Sequence, residues 1–282
     1  MEGTVDRDDG VTGWGNNGNG EHVAGADANN DGYPDFLYHY SGGKLFQSRG
    51  DGTYIADNRG IAIRTGGSYK SGSAWGDYDN DGDMDVFNPS FMGGEAGFLH
   101  RNLGVSDVYD AVSGEDVPMA LFADAASGAG LDSTAQQRSA AWGDFDNDGD
   151  LDLYVTSFGP ASGFLENDRH LLYRNNGDNT FTDVALEAGV RKSSPTDPDG
   201  FSSTWGDYDM DGDLDLFVAG WMDETNGERL LRNNGPDSGY TFTDVTDELT
   251  DLASIPVFGF SPTFQDTDGD GYPELLIAAD FI

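Results

Sequence analysis

Acidic side chains recur in this chain at a fixed spacing. A nine-residue segment appears five times: Asp27-Ala-Asn-Asn-Asp-Gly-Tyr-Pro-Asp35, Asp77-Tyr-Asp-Asn-Asp-Gly-Asp-Met-Asp85, Asp144-Phe-Asp-Asn-Asp-Gly-Asp-Leu-Asp152, Asp207-Tyr-Asp-Met-Asp-Gly-Asp-Leu-Asp215 and Asp266-Thr-Asp-Gly-Asp-Gly-Tyr-Pro-Glu274. Oxygen-bearing side chains at positions 1, 3, 5 and 9, with glycine at position 6 to reverse the chain, are the donor set of a hard cation the size of Ca²⁺. Mg²⁺, which gives up its waters reluctantly, is a poorer match.

The expected side-chain ligands are Asp27, Asn29, Asp31 and Asp35 in the first loop, and Asp77, Asp79, Asp81 and Asp85 in the second. Asp144, Asp146, Asp148 and Asp152 serve the third, Asp207, Asp209, Asp211 and Asp215 the fourth, and Asp266, Asp268, Asp270 and Glu274 the fifth. Position 7 (Tyr33, Asp83, Asp150, Asp213 and Tyr272) is expected to give its backbone carbonyl, with its side chain directed outward. The expectation is up to five Ca²⁺, one per loop, with the first loop weakest because Asn29 stands where the others have Asp. The role is structural. Two carboxylates about 4 Å apart repel by roughly 4 kcal/mol at an effective dielectric near 20, so a loop of four acids needs a cation to stay closed. Position 12, where an EF-hand places a chelating Glu, is Tyr38, Asn88, Val155, Val218 or Ile277, so that reading fails.

The elements that must position these loops also recur. The first residues of the loops fall at 27, 77, 144, 207 and 266, a period near 60. Trp-Gly precedes three of the loops (Trp75, Trp142, Trp205), and a short β-rich run follows each, such as Leu153-Tyr-Val-Thr and Leu216-Phe-Val-Ala. A second landmark comes later: Leu171-Leu-Tyr-Arg-Asn-Asn-Gly177 and Leu230-Leu-Arg-Asn-Asn-Gly235, with looser copies at 45–50 and 98–102. Its Asn-Gly reads as hairpin-turn chemistry. The next strand reads Thr180-Phe-Thr-Asp-Val184 or Thr241-Phe-Thr-Asp-Val245. One unit is therefore four short antiparallel strands, a propeller blade. The expected fold is all-β: four whole blades, the two-stranded inner half of a fifth whose second strand is Leu275–Ile282, and a leftover strand near Val5–Gly10, as one propeller domain or propeller fragment over 1–282. Completion of the terminal blades by a neighbouring molecule, hence self-assembly, is one consequence. Segments 102–120 and 191–200 interrupt the period and are expected as rim loops.

Phe260 to Ala279, with its Asp-Thr-Asp-Gly-Asp-Gly-Tyr-Pro-Glu core, resembles the FG-GAP repeat of integrin α-chain propellers, and the Trp-Gly-Asp-Tyr/Phe-Asp copies with Arg-Asn-Asn-Gly are similar to bacterial FG-GAP/VCBS proteins, including those with ASPIC/UnbV domains. The resemblance implies a calcium-binding β-propeller, usually of about seven blades and extracellular or at the cell surface. Adhesins, lectins, lyases and structural modules share this family, so a function does not come with it.

Composition narrows the rest. Fourteen basic against 52 acidic residues give a net charge of −38, much of it in the loops. Nucleic acid and anionic membranes are poor partners for that surface. Without cysteine there are no disulfides and no thiol chemistry. No apolar run is long enough to span a bilayer, and no signal peptide is visible in the first 30 residues. His22, His39, His100 and His170 show no ligand spacing and read as packing or surface residues, and no nucleophile elbow or phosphate loop appears. Arg49-Gly50-Asp51 aligns with Asn176-Gly177-Asp178 and reads as a turn rather than an adhesion signal. The leading expectation is a non-enzymatic, calcium-stabilised extracellular propeller that binds a protein or assembles. The alternative is a carbohydrate-binding module or the propeller of a carbohydrate-active enzyme, with Trp14 and Trp221 to stack on a glycan. Millimolar calcium outside cells, against submicromolar inside, favours an exterior location.

Overall fold

The computed structural model describes residues 23–38, 44–57, 60–61, 72–91, 95–111, 113–157, 170–191, 200–220, 228–248 and 258–280. Five antiparallel sheets follow one another along the chain. The first blade comprises β1 (Val23–Ala26), β2 (Asp35–Tyr38), β3 (Lys44–Ser48) and β4 (Tyr54–Asp57). The second comprises β5 (Ala74–Gly76), β6 (Asp85–Asn88), β7 (Phe98–Asp110) and β8 (Glu115–Asp124). The third runs β9 (Gln137–Gly143), β10 (Asp152–Ser157), β11 (Leu171–Asn175) and β12 (Phe181–Asp183), and the fourth β13 (Ser202–Gly206), β14 (Asp215–Ala219), β15 (Arg229–Asn233) and β16 (Phe242–Asp244). The last sheet is the pair β17 (Phe258–Gln265) and β18 (Glu274–Asp280). Strands pair in simple sequence order, as in propeller blades. The expected leftover strand near Val5–Gly10 lies outside the described residues.

Each nine-residue acidic loop joins the first strand of a sheet to the second, with Gly76 opposite Asp85, Gly143 opposite Asp152 and Gly206 opposite Asp215. The second strands β6, β10 and β14 are buried at every position. Such unbroken burial belongs to a strand covered on both faces, and it explains their continuous apolar character. What covers them is the next blade. One apolar cluster joins Leu37 and Leu45 to Val86 and Phe122. A second joins Phe87 and Leu99 to Leu153, Val155 and Phe181, and a third Tyr154 and Leu172 to Leu216, Val218 and Phe242. A fourth joins Phe217 and Leu230 to Leu275 and Ile277. The core therefore lies between blades, not within them. The described sheets are not closed into a ring.

Segment 102–120 is not the rim loop the period predicts. It is strand: β7 runs for 13 residues and β8 for 10, paired out to Asp110 opposite Glu115, with a register shift between Asn102 and Val105. This long hairpin leans on the first blade. Arg49 pairs with Asp110 at 2.9 Å, and Ala120 N–H donates to Gln47 Oε1 at 3.0 Å. Arg49 is thus committed to a structural ion pair, in keeping with a turn at Arg49-Gly50-Asp51. Of segment 191–200 only its two end residues are described. A short α-helix, α1 (Ala126–Ala129), ends at Gly130 in the left-handed region, φ 81°, and two single 3-10 turns lie at Pro236–Ser238 and Thr246–Glu248.

Candidate metal centre

In four of the five loops, carboxylate oxygens from positions 1, 3 and 9 converge, all within 4.8 Å of one another. The sets are Asp77, Asp79 and Asp85; Asp144, Asp146 and Asp152; Asp207, Asp209 and Asp215; and Asp266, Asp268 and Glu274. Two oxygens on opposite sides of a Ca²⁺ at its usual bond lengths stand roughly 4.6–5.2 Å apart, so the spacing suits that ion. The first loop has Asn29 at position 3 and only Asp27 and Asp35 as the matching acids.

The backbone builds each loop around position 1. In the first four loops the N–H groups of positions 5 and 6 donate to the two oxygens of the position-1 Asp at 2.8–3.0 Å, for example Asp148 and Gly149 to Asp144. Glycine at position 6 holds φ between 87° and 96° in all five, a conformation with little tolerance for a Cβ. Position 5 stands outside the converging set. Asp31, Asp81, Asp148, Asp211 and Asp270 each accept the N–H of position 7 at 2.8–3.0 Å.

Position 9 is the deepest. Asp35, Asp85, Asp152 and Asp215 are at most 1% exposed. One oxygen of each accepts the N–H of position 2 (Ala28, Tyr78, Phe145, Tyr208), and the other accepts an N–H from the third strand (Ser48, Asn102, Asn175, Asn233). Burial pushes the Asp85 and Asp152 carboxyls up to about 8 and Asp215 up to about 7, against these hydrogen bonds, which favour the charged form. Asp35 is raised for the same reason, while Glu274, held by Thr267, is lowered.

At position 3, Asp79 and Asp146 each bury an oxygen (Oδ1) that meets no hydrogen-bond donor. Both carboxyls are raised by burial, and neighbouring acids add to it. A buried, unpartnered carboxylate oxygen facing two other carboxylates is what a cation would satisfy. In the second loop a guanidinium meets part of that need: Arg101 Nε lies 2.7 Å from Asp79 Oδ2, and its Nη2 lies 3.0 Å from Asp81 Oδ2. The residues present therefore fit a divalent ion that would draw positions 1, 3 and 9 together.

Position 7 departs from the expected outward side chain. Asp83, Asp150 and Asp213 turn toward the preceding loop, whose position-4 asparagine donates to them: Asn30 to Asp83 at 2.7 Å, Asn80 to Asp150 at 2.7 Å and Asn147 to Asp213 at 2.8 Å. In the outer loops Tyr33 and Tyr272 are exposed.

The Arg-Asn landmark also does more than turn the chain. Asn102 donates to the Ala28 and Met84 carbonyls, Asn175 to those of Tyr78 and Leu151, and Asn233 to those of Phe145 and Leu214. Each thus ties its own loop to position 2 of the loop before it. Their recurrence one residue after an arginine was the available signal.

Of the four histidines, His100 and His170 are fully buried, as packing residues would be. His22, His39, Trp14 and Trp221 lie outside the described residues. Among the described residues no helix is long and apolar enough to cross a membrane.

A family model for the FG-GAP-like repeat matches residues 27–87, 164–218 and 207–277, together more than half of the chain. The matched spans contain four of the five loops, the third lying between them. No curated protein matches the chain.

Proposed function

We infer that this chain, which belongs to the FG-GAP-like repeat family, is a calcium-stabilised propeller module without catalytic activity that works outside the cell in adhesion, protein binding or assembly. The observation that carries the calcium reading is the convergence of three carboxylates in each of four loops, with buried oxygens of Asp79 and Asp146 left without a donor. Ca²⁺ would be held by the converging carboxylates of positions 1, 3 and 9, with the position-5 side chain and the position-7 carbonyl completing the donor set that the loop pattern offers. Bound there, it supplies positive charge and nothing else. The chain's own residues fix the geometry: position 1 caps the loop backbone, position 9 anchors it to the second and third strands, and the aromatic cores behind them hold adjacent blades together.

The exterior location is supported by concentration. A site at about a hundred times its dissociation constant contributes roughly 2.7 kcal/mol, and weak loops reach that ratio only in millimolar calcium. Protein binding is supported by the side chains the fold leaves uncovered: Leu103, Val105 and Tyr109, each more than half exposed on the β7–β8 hairpin. The acidic surface speaks against nucleic acid.

Thermal unfolding of the full chain in millimolar calcium and in excess EGTA tests the reading. The expected result is a melting temperature that rises with calcium and not with equal magnesium. Identical melting in calcium and EGTA would overturn it.

A further inference from the structure

Position 4 of each loop holds a left-handed conformation: Asn30 at φ 57°, Asn80 at 56°, Asn147 at 55°, Met210 at 62° and Gly269 at 80°. Asparagine is among the few side-chain-bearing residues that adopt this region readily. In the first three loops that asparagine also reaches into the next blade. Its amide donates to the position-7 carboxylate there, and Asn30 and Asn147 also approach the position-6 carbonyls of Gly82 and Gly212 at 3.3 and 3.4 Å. The gripped segment includes position 7, whose carbonyl would face an ion under the calcium reading above.

The pattern of partners is consistent along the chain. Position 7 is an aspartate in every loop preceded by an asparagine: Asp83, Asp150 and Asp213. Where position 4 becomes Met210, which offers no amide, position 7 of the following loop becomes Tyr272. Donor and acceptor are replaced together. Both Met210 and Tyr272 are exposed, at 52% and 60%.

We propose that the position-4 asparagines couple the metal loops in series, so that filling one loop raises the calcium affinity of the next, and that the series ends at Met210, leaving the fifth loop independent. The proposal rests on the calcium reading above. An ion that closes one loop fixes the turn at its position 4. The fixed amide holds the neighbour's position 7, so the neighbouring loop spends less ordering entropy on its own ion. Linkage makes the effect mutual between the two loops. A second thread runs beside it: Asn102, Asn175 and Asn233 tie position 9 of one loop to position 2 of the loop before.

The test is a calcium titration of the EGTA-stripped full chain, read by native mass spectrometry, which resolves each bound-ion number, and by calorimetry. In the unaltered chain, species with the coupled loops partly filled should be depleted at half-saturation. Asn80→Ala should bind as many ions at saturation but populate partly filled species, with an about fivefold loss of affinity in the loops it uncouples, the lower end of ordinary coupling. The double variant Met210→Asn/Tyr272→Asp should bring the fifth loop into the cooperative group. An Asn80→Ala ion distribution identical to that of the unaltered chain would overturn the proposal. If Asn80→Ala does not fold, failure of the double variant to add cooperativity overturns it instead. Full stoichiometry with independent sites in the unaltered chain refutes the coupling alone. Absence of bound calcium refutes the calcium reading and the coupling with it.

Discussion

Trp142 occupies the space that Gly76 leaves open: a Cβ on Gly76 would stand 2.8 Å from the indole Cδ1. The same contact recurs one blade on, where a Cβ on Gly143 would lie 2.6 Å from Trp205, and again where one on Gly206 would lie 2.4 Å from Phe264. The indole also donates backward across the interface, Trp142 to the Ala74 carbonyl at 3.1 Å and Trp205 to that of Ala141 at 3.2 Å. Its face stacks on position 2 of the previous loop, Tyr78 under Trp142 and Phe145 under Trp205. Trp-Gly is therefore one half of a joint whose other half sits in the adjoining repeat.

The joint predicts the cost of a methyl group. Gly143→Ala must move Trp205 or the inner strand, and overpacking of this kind costs about 1–3 kcal/mol. Urea unfolding of the calcium-loaded chain should show a lower midpoint with an unchanged slope. A midpoint equal to that of the unaltered chain would mean that the blades are not held at this distance.

Asn175 makes a separate prediction. Its amide serves two carbonyls in different blades, the buried one of Tyr78 at 2.8 Å and the part-buried one of Leu151 at 3.2 Å. Asn175→Ala leaves both without a donor, at about 1–3 kcal/mol. Asn175→Asp should be worse than alanine, since it turns a carboxylate toward those carbonyls and toward Asp152. Denaturant midpoints in the order asparagine, alanine, aspartate check this, and an aspartate variant as stable as the unaltered chain would refute it.

The loops were legible in the sequence because a metal loop is local: nine residues carry its donors, its turn and its anchor. Blade order was legible for a similar reason, since each hairpin closes within its repeat. What the sequence hid is what passes between repeats. Trp142 is visible as a landmark, but its partner Gly76 is 66 residues away. Asn175 reads as turn chemistry because its long-range acceptors are backbone carbonyls, which leave no mark on composition. Asp150 looks like any solvent-facing acid until Asn80 is placed against it. The hairpin at 102–120 was concealed by the register shift after Asn102 and by acids spread through a strand that faces solvent on one side.

Protonation of the position-9 aspartates sets a pH dependence for the calcium-free chain. Burial holds Asp85 and Asp152 protonated to about pH 8 and Asp215 to about pH 7, whereas the unfolded chain releases these protons near pH 4. Between those limits the folded state binds more protons, so its stability falls as pH rises. Calcium needs the charged forms, so its apparent affinity rises over the same range. In EGTA the melting temperature should fall from about pH 5 to pH 8, and added calcium should restore it most at the upper end. A melting temperature in EGTA that is flat or rising would refute the assignment of buried protons to these residues.

Asp146→Asn separates a metal ligand from an acid that merely sits in a turn. Asp146 buries an oxygen with no donor and is pushed upward by burial and by Asp148 and Asp144, so in the calcium-free chain its charge is a liability. Asparagine there has a place to bond: in the first loop Asn29 donates to Asp31 at 3.0 Å. In EGTA the variant should be as stable as the unaltered chain or more stable. With calcium the sign reverses, because the third loop has lost one negative ligand; each tenfold drop in affinity removes about 1.4 kcal/mol of the stabilisation that calcium supplies. Unfolding measured in both conditions gives the two signs independently. A turn acid without a ligand role would shift stability by the same amount, in the same direction, with and without calcium.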